Sequence, residues 1–177
     1  MDENSQLSLI PAVWLTNNRV TEFFFENLPT ELWDLKIPGA PRRTIRMIAG
    51  HLHNSRCMWI KMVGKQYSVK APRTVNRRLV NRTELLRALK RSNEGILGLL
   101  SAAIKHDGVL KIKVPYANIP DDVVHFMVYL AAHEAHHRGQ IVVIARELGH
   151  RLPTNMTSGL WQWKRWHQES SKRRVRA

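Results

Sequence analysis

The sequence predicts an all-α protein: a four-helix bundle with a short additional C-terminal helix. Two observations favour this class: four long segments repeat apolar residues at helical spacing, and helix-ending residues separate them. The chain of 177 residues fits a single domain. We expect that domain to span residues 1–170 and the basic tail at 171–177 to be flexible.

The first two helices are predicted from their apolar spacing and from their flanking prolines. The first runs from about Leu7 to Asn27, and Leu28-Pro29 ends it. The second is expected to begin at Ala40-Pro41, because proline suits the first turn of a helix, and to end near Gly64.

The third and fourth helices carry recognisable end signals. The third begins at Asn81, which has the spacing of a capping box with Glu84, and stops at His106-Asp107-Gly108. The fourth runs from Pro120-Asp121 to Leu148, and a left-handed cap is expected at Gly149.

Three connecting segments complete the predicted organisation. Residues 65–80 form a polar, basic and irregular linker, and residues 109–115 form an extended connection. The aromatic-rich stretch from Met156 to Glu169 predicts a short fifth helix that packs its indoles on the bundle.

Composition excludes several classes of protein and points to a reducing compartment. No apolar run reaches the length of about 18 residues that a membrane span needs. Residues 1–6 lack the basic-then-apolar order of a signal peptide, and Cys57 is the single cysteine, so a disulfide framework is excluded. We therefore expect a cytoplasmic protein.

The net charge of +14 is unusually high for a chain of this length. Such an excess attracts anions, which keeps a nucleic-acid-binding module as an alternative function. The other interpretation is a solvated basic surface with a basic tail, because the sequence has no helix-turn-helix or zinc-finger spacing.

Three histidines form the most informative pattern. His133 and His137 lie four residues apart on the fourth helix, so both imidazoles project from one face and can bind one ion. His51 has the phase of the core-facing stripe of the second helix, whereas His53 is expected to face solvent. The pattern predicts an open three-histidine metal site, with hydrogen-bonded core histidines as the structural alternative.

An open three-histidine metal site is typical of catalysis. Neutral imidazoles suit Zn, Ni, Cu or Fe, and three of them leave a coordination position free for water or substrate. A water on zinc has its pKa lowered to about 7, and a bound thiol is deprotonated in the same way. The pattern therefore predicts a nucleophile made at neutral pH.

Glu134 raises a minor alternative, because His133-Glu134-Ala135-His136-His137 satisfies the short zinc-metalloprotease pattern. A protease would also need a further downstream ligand and a substrate-binding edge, and neither is evident in the sequence. The simplest structural interpretation of Glu134 is an exposed helix residue that pairs with Arg138.

Two of these segments resemble those of the DinB/YfiT-like family. The segment Ile48–Trp59 is similar to the first ligand segment of that family, and His133–Gln140 is similar to the second. The C-terminal pattern of Leu152-Pro153 followed by Ser158–Trp163 also resembles the family. The similarity extends over most of the chain.

This resemblance implies a fold, a metal and a class of activity. It implies a four-helix bundle, usually a homodimer, with Zn or Ni on His51, His133 and His137. Relatives include low-molecular-weight thiol S-transferases and a thiol-dependent maleylpyruvate isomerase, and many others are described only as metal-dependent hydrolases. We therefore expect an enzyme that activates water or a small thiol against a small electrophilic substrate, with Glu134 or His136 moving protons. A non-catalytic bundle is the alternative.

The same resemblance gives a role to the residues after His137. Glycine costs about 1 kcal/mol relative to alanine inside a helix, so Gly139 is expected to allow a neighbouring helix or ligand to come close. Arg138 and Gln140 are then expected to support the metal ligands or to bind an anionic cofactor, with an exposed surface arginine as the alternative for Arg138.

Overall fold

Four long helices form the bundle in the computed structural model, which describes residues 7, 9–114 and 118–175. They are α1 (Ile10–Asn27), α2 (Ile45–Gly64), α3 (Arg82–Ile104) and α4 (Val123–Glu147). Two shorter helices follow, α5 (Thr154–Gly159) and α6 (Trp163–Val175). The predicted all-α bundle with additional C-terminal helix is confirmed. Helix α1 packs against α3, α4 and α6, and α2 packs against α3 and α4.

The predicted start of the second helix was wrong by about five residues. A small antiparallel hairpin, β1 (Lys36–Ile37) and β2 (Ala40–Thr44), occupies the region around Pro41. Gly39 closes its turn with φ +71°, a conformation that glycine adopts without strain. Helix α2 begins only at Ile45, because the hydroxyl of Thr44 accepts the Met47 N–H and caps the first turn.

The predicted caps of α3 and α4 at Asn81 and Gly149 are confirmed, whereas the start of α4 is shifted. The Asn81 side chain accepts the Glu84 N–H at 2.9 Å, so the predicted cap is confirmed. Gly149 has φ +82° and ends α4 in the predicted left-handed conformation. The start of α4 lies two residues later than expected, because Asp122 is the residue that caps it, through the His125 N–H.

The buried interior has three layers along the bundle axis. One apolar cluster is centred on Phe24, Leu52 and Ile141, and a second on Trp14, Trp59 and Phe126. Buried polar residues separate the two clusters: Asn17, Asn18, Thr21, His53, Arg56, Ser92, Glu134 and Arg138. Every long helix contributes to this polar layer.

The connections are pinned to the bundle by specific contacts. Residues 65–81 pass along α2, where the Asn54 side chain donates to the Val75 carbonyl at 3.0 Å and accepts the Val75 N–H at 2.9 Å. The predicted extended connection at 109–115 buries Leu110 and Ile112, and Val109 forms an antiparallel bridge with Asp122; Pro115 lies outside the described residues.

The C-terminal region contains two helices, α5 and α6, where one short helix was expected. Trp166 packs in the interior, but Trp161 is 81% exposed and Trp163 is also exposed, so the expected packing of all three indoles was wrong. The predicted domain boundary at residue 170 falls inside α6, which continues to Val175. Residues 176 and 177 of the predicted tail lie outside the described residues. Among the described helices, none is both long and apolar enough to cross a membrane.

We predict opposite effects of alanine at two glycines that face Val69. A Cβ at Gly64 would overlap the backbone carbonyl oxygen of Val69, whereas at Gly98 it would only contact the Val69 methyl groups at 3.4 Å. Gly64→Ala should lower the free energy of unfolding by about 1–3 kcal/mol. Gly98→Ala should raise it by up to about 1 kcal/mol, because alanine favours the helix. Urea denaturation measures both, and a stable Gly64→Ala protein would contradict the packing.

Candidate metal centre

The side chains of His51, His133 and His137 converge between α2 and α4. The Nε2 atom of His133 lies 3.3 Å from that of His51 and 3.2 Å from that of His137. One ligand atom from each residue lies within 4.8 Å of the other two, and all three side chains are partly buried. The structure therefore brings together the three histidines that the sequence singled out.

These nitrogens have the arrangement that a metal ion needs. Nitrogens about 2.0–2.1 Å from a tetrahedral zinc ion lie roughly 3.3 Å apart, close to two of the separations here. Hydrogen bonding alone satisfies the cluster poorly, because His133 Nε2 faces two other ring nitrogens and has at most one proton to donate. The group could hold a divalent cation.

Gln140 sets the orientation of His137. The Nδ1 atom of His137 lies 3.0 Å from the Gln140 Oε1, so its N–H donates to the amide oxygen. A neutral ring that carries its proton on Nδ1 exposes a lone pair on Nε2. Gln140 thereby turns the Nε2 atom of His137 toward the cluster, where it is available to a metal ion.

The environment keeps all three imidazoles neutral. Burial, followed by the charges of His137 and His133, lowers the pKa of His51 to about 4. Arg77 and Arg43 contribute to the same lowering, which places their positive charges near this ring. Burial is also the main cause of the lowered pKa of His133 and of His137. Neutral imidazole is the form that binds a metal, so near pH 7 no proton has to be displaced.

A cleft of about 200 Å³ opens beside His51 and His137. Its remaining lining consists of three apolar and three polar or basic residues: Ile37, Met47, Ile48, Arg43, Arg77 and Gln140. A larger cavity of about 490 Å³, lined in part by Arg19, Lys90 and Glu94, includes none of the three histidines. The smaller cleft is therefore the one that gives access to the candidate site.

Glu134 is not the exposed residue that helix spacing suggested. Its side chain is 2% exposed and accepts hydrogen bonds from Arg56 Nε at 2.6 Å, Thr21 Oγ1 at 2.7 Å and Asn17 Nδ2 at 3.0 Å. Burial alone would raise the pKa of Glu134, but Arg56, Arg138 and the Thr21 hydroxyl together outweigh that effect, and the pKa lies below its ordinary value. The expected catalytic role of Glu134 is corrected, because both oxygens are already engaged inside the bundle.

Arg138 belongs to the same buried layer. Its Nη1 atom donates to Thr21 Oγ1 at 2.5 Å and lies 3.7 Å from Glu134 Oε2. The predicted pairing of Glu134 with Arg138 is present, but it is internal, and the pair faces away from solvent. Arg138 is therefore corrected from a cofactor-binding residue to a structural one. The metalloprotease alternative fails for the same reason, since its glutamate must be free to act as a base.

The remaining histidines of the pattern occupy contrasting positions. His136 is exposed, and its ring centroid lies 5.0 Å from that of His137. His53, expected at the surface, is fully buried: its ring nitrogens lie 3.1 Å from Ser92 Oγ and 2.9 Å from the Arg73 carbonyl oxygen.

Cys57 lies beside this buried histidine, with its Sγ atom 3.2 Å from a ring nitrogen of His53. Burial raises the pKa of the Cys57 thiol to about 11, so the thiol is not a reactive group near pH 7.

Sequence reasoning missed the residues that surround the three ligands. Arg43 and Arg77 come from the hairpin and the linker, where no periodic pattern indicates a position in space. Arg56 had a signal, because it follows Leu52 by four residues and precedes Trp59 by three, which places it on the core-facing side of α2. Gly139, expected to allow a close neighbour, has open space around it among the described residues.

We predict that Glu134→Gln destabilises the protein strongly. Glutamine keeps the shape of the side chain but leaves the buried Arg56 charge uncompensated, which should lower the free energy of unfolding by about 3–5 kcal/mol. Glu147→Gln, at an exposed position of the same helix, is the matched control and should change it by less than about 0.5 kcal/mol. Equal stability of both variants in urea denaturation would contradict this account of the polar layer.

A comparison with known protein families agrees with this geometry. The chain matches the model of the DinB family over residues 1–170. Searches of curated proteins and of solved structures find no match. Residues 1–170 include all three histidines and nearly the whole bundle. The chain belongs to the DinB family.

Proposed function

We propose that this protein is a metal-dependent enzyme that activates water or a low-molecular-weight thiol against a small electrophilic substrate. The observation that carries the proposal is the convergence of three neutral imidazole nitrogens beside an open cleft. Membership of the DinB family supports it, because the three-histidine group fits a metal-binding protein of that family. Hydrolase and thiol S-transferase are the two reaction classes that this chemistry serves.

Each residue of the proposed site has a separate task. His51, His133 and His137 would hold the ion, which we propose to be Zn or Ni. A divalent ion at such a site lowers the pKa of a water or thiol and so supplies a nucleophile near neutral pH. Gln140 orients His137 by accepting its Nδ1 proton. His136, exposed beside His137, is proposed to move protons between the site and solvent.

The cleft limits the size of the substrate. Its volume of about 200 Å³ is below the range of roughly 300–1,000 Å³ that is typical of pockets for drug-sized ligands. We propose a small molecule that reaches His51 and His137 from the side of the hairpin. The proposal places the enzyme in the cytoplasm, where the free thiol of Cys57 and a small-thiol cosubstrate stay reduced.

The first test is the metal content of untagged protein. We expect about one divalent ion per chain in the wild type, measured by inductively coupled plasma mass spectrometry. His137→Ala should lose most of it, because removing one of three ligands weakens binding severely. His136→Ala, at the neighbouring exposed position, is the control and should keep the metal.

Near-zero metal in the wild type, before and after incubation with zinc or nickel, would contradict the proposal and leave a non-catalytic bundle. Metal retained by His137→Ala would contradict the assignment of ligands. A protein that holds metal is then assayed with simple esters, and with small thiols plus an alkyl halide or epoxide, to separate the hydrolase from the thiol transferase.

We also propose that the protein is a homodimer joined through α4. The solvent-facing side of this helix exposes Val124, Val128 and Val143, and the small residues Ala132 and Gly139 lie between them. Gly139 has open space around it among the described residues, which would let a second helix approach closely. An apolar helix face of this kind is stabilised by burial against a partner.

Sedimentation at micromolar concentration tests this interface. Val128→Asp should weaken the dimer at least about tenfold, because the carboxylate would be desolvated at its centre. Val13→Asp, which changes an exposed valine on α1, should leave the dimer intact. A wild-type chain that sediments as a monomer at all concentrations would contradict the proposal.

A further inference from the structure

Two arginines stand at the cleft beside the histidines. Arg43 comes from strand β2 and Arg77 from the linker that precedes α3, and both line the cleft together with His51 and His137. Both residues are exposed, so their guanidinium groups are available to a ligand. They are distant in sequence, and only the packing of the hairpin and the linker against α2 brings them to one opening.

The position of Arg77 is built into the fold. A Cβ at Gly50 would lie 3.2 Å from both Cα and Cγ of Arg77, so a larger residue would push the linker a few tenths of an ångström away from α2 next to His51. The linker is fixed on both sides of Arg77. Asn54 bonds the backbone of Val75 twice, and Arg46 donates to the Val80 carbonyl at 2.8 Å. The Arg77 backbone is thus held beside the cleft.

Among the described residues, no carboxylate lies within ion-pair distance of Arg43 or Arg77, whereas Arg46 on the same surface pairs with Asp34 at 2.6 Å. The interior arginines are also compensated, since Arg56 pairs with Glu134. The two positive charges at the cleft are therefore free to bind an anion.

Part of the cleft lining is apolar. Ile37 of the hairpin and Met47 and Ile48 of α2 contribute these surfaces. Such surfaces favour the alkyl part of a ligand, whereas the guanidinium groups favour a carboxylate or a phosphate through charge-assisted hydrogen bonds. The cleft thus combines apolar groups, two guanidinium groups and two of the three histidines, His51 and His137.

We propose that Arg43 and Arg77 bind the anionic group of the substrate or cosubstrate, and that this ligand is a small molecule with a short apolar body and one carboxylate or phosphate. This inference deepens the proposed function and rests on it for the reaction that follows binding. The anionic group docks at the arginines, the apolar body lies against Met47 and Ile48, and the reacting atom is directed toward His51 and His137.

Matched four-carbon probes test this specificity. Butyrate and butyl phosphate carry the anion, and butan-1-ol is their neutral counterpart with the same number of carbon atoms. Binding to the full-length protein is measured by chemical-shift titration, both as isolated and after removal of metal with a chelator. We expect at least one of the anions to bind about tenfold more tightly than the alcohol, the effect of one charge-assisted hydrogen bond.

Variants of equal net charge separate the cleft from the general basic surface. Arg43→Gln with Arg77→Gln should abolish the preference for the anions. The control is Arg42→Gln with Arg78→Gln, which removes the same two charges from neighbouring exposed positions outside the cleft lining and should keep the preference.

Each outcome decides the proposal. Equal binding of the anions and the alcohol, or no anion binding in either metal state, would overturn it. A loss of preference in the control as large as in the Arg43/Arg77 variant would also overturn it, because net charge would then explain the binding. The measurement on metal-free protein keeps the two proposals distinct. If the protein binds no metal, the proposed enzyme function is contradicted, but the titration still decides whether Arg43 and Arg77 bind the anion.

Discussion

The ion pair between Glu134 and Arg56 is the constraint on which the candidate metal centre depends. A buried charge is tolerated only when it is paired and hydrogen-bonded, so the carboxylate of α4 and the guanidinium of α2 must face each other inside the bundle. That requirement sets the rotation of α4 about its own axis. His133 and His137 each precede a residue of the inward-facing pair Glu134 and Arg138, so they are turned by one residue toward the edge where α2 presents His51. On α4, each histidine of the candidate metal centre is thus followed directly by a residue that stabilises the fold.

The arginines of this protein divide into two groups with different physical roles. Inside the bundle, Arg56 and Arg138 surround one carboxylate and form a polar layer between two apolar clusters. At the cleft, Arg43 and Arg77 have no acidic partner among the residues that the structure describes. Net charge does not distinguish the groups, because it sums over all of them. Position decides which charges stabilise the fold and which remain available to a ligand.

Prediction from the sequence succeeded where local chemistry determines the outcome. The spacing of His133 and His137 and the caps at Asn81 and Gly149 depend on neighbours within four residues, and the structure shows the expected geometry. It failed where distant residues decide. His53 was expected at the surface from its helical phase, and Glu134 from its spacing to Arg138, yet each is satisfied by partners far away in the chain. Pro41 fits a helix start, but pairing of the hairpin strands overrides that preference.

The amino-acid sequence by itself determined the helical class, most helix ends and the pair of histidines that can bind one ion, because each follows from periodicity or from short-range hydrogen bonding. Helical phase in the sequence also indicated that His51 faces the core, but only the tertiary structure decided that its Nε2 atom lies 3.3 Å from that of His133. The tertiary structure alone decided that Glu134 supports the fold and that Arg43 and Arg77 reach the same cleft. The physical reason is that these arrangements depend on how helices and linkers pack against one another. Contacts between residues that lie far apart in the chain produce no periodic pattern in its sequence.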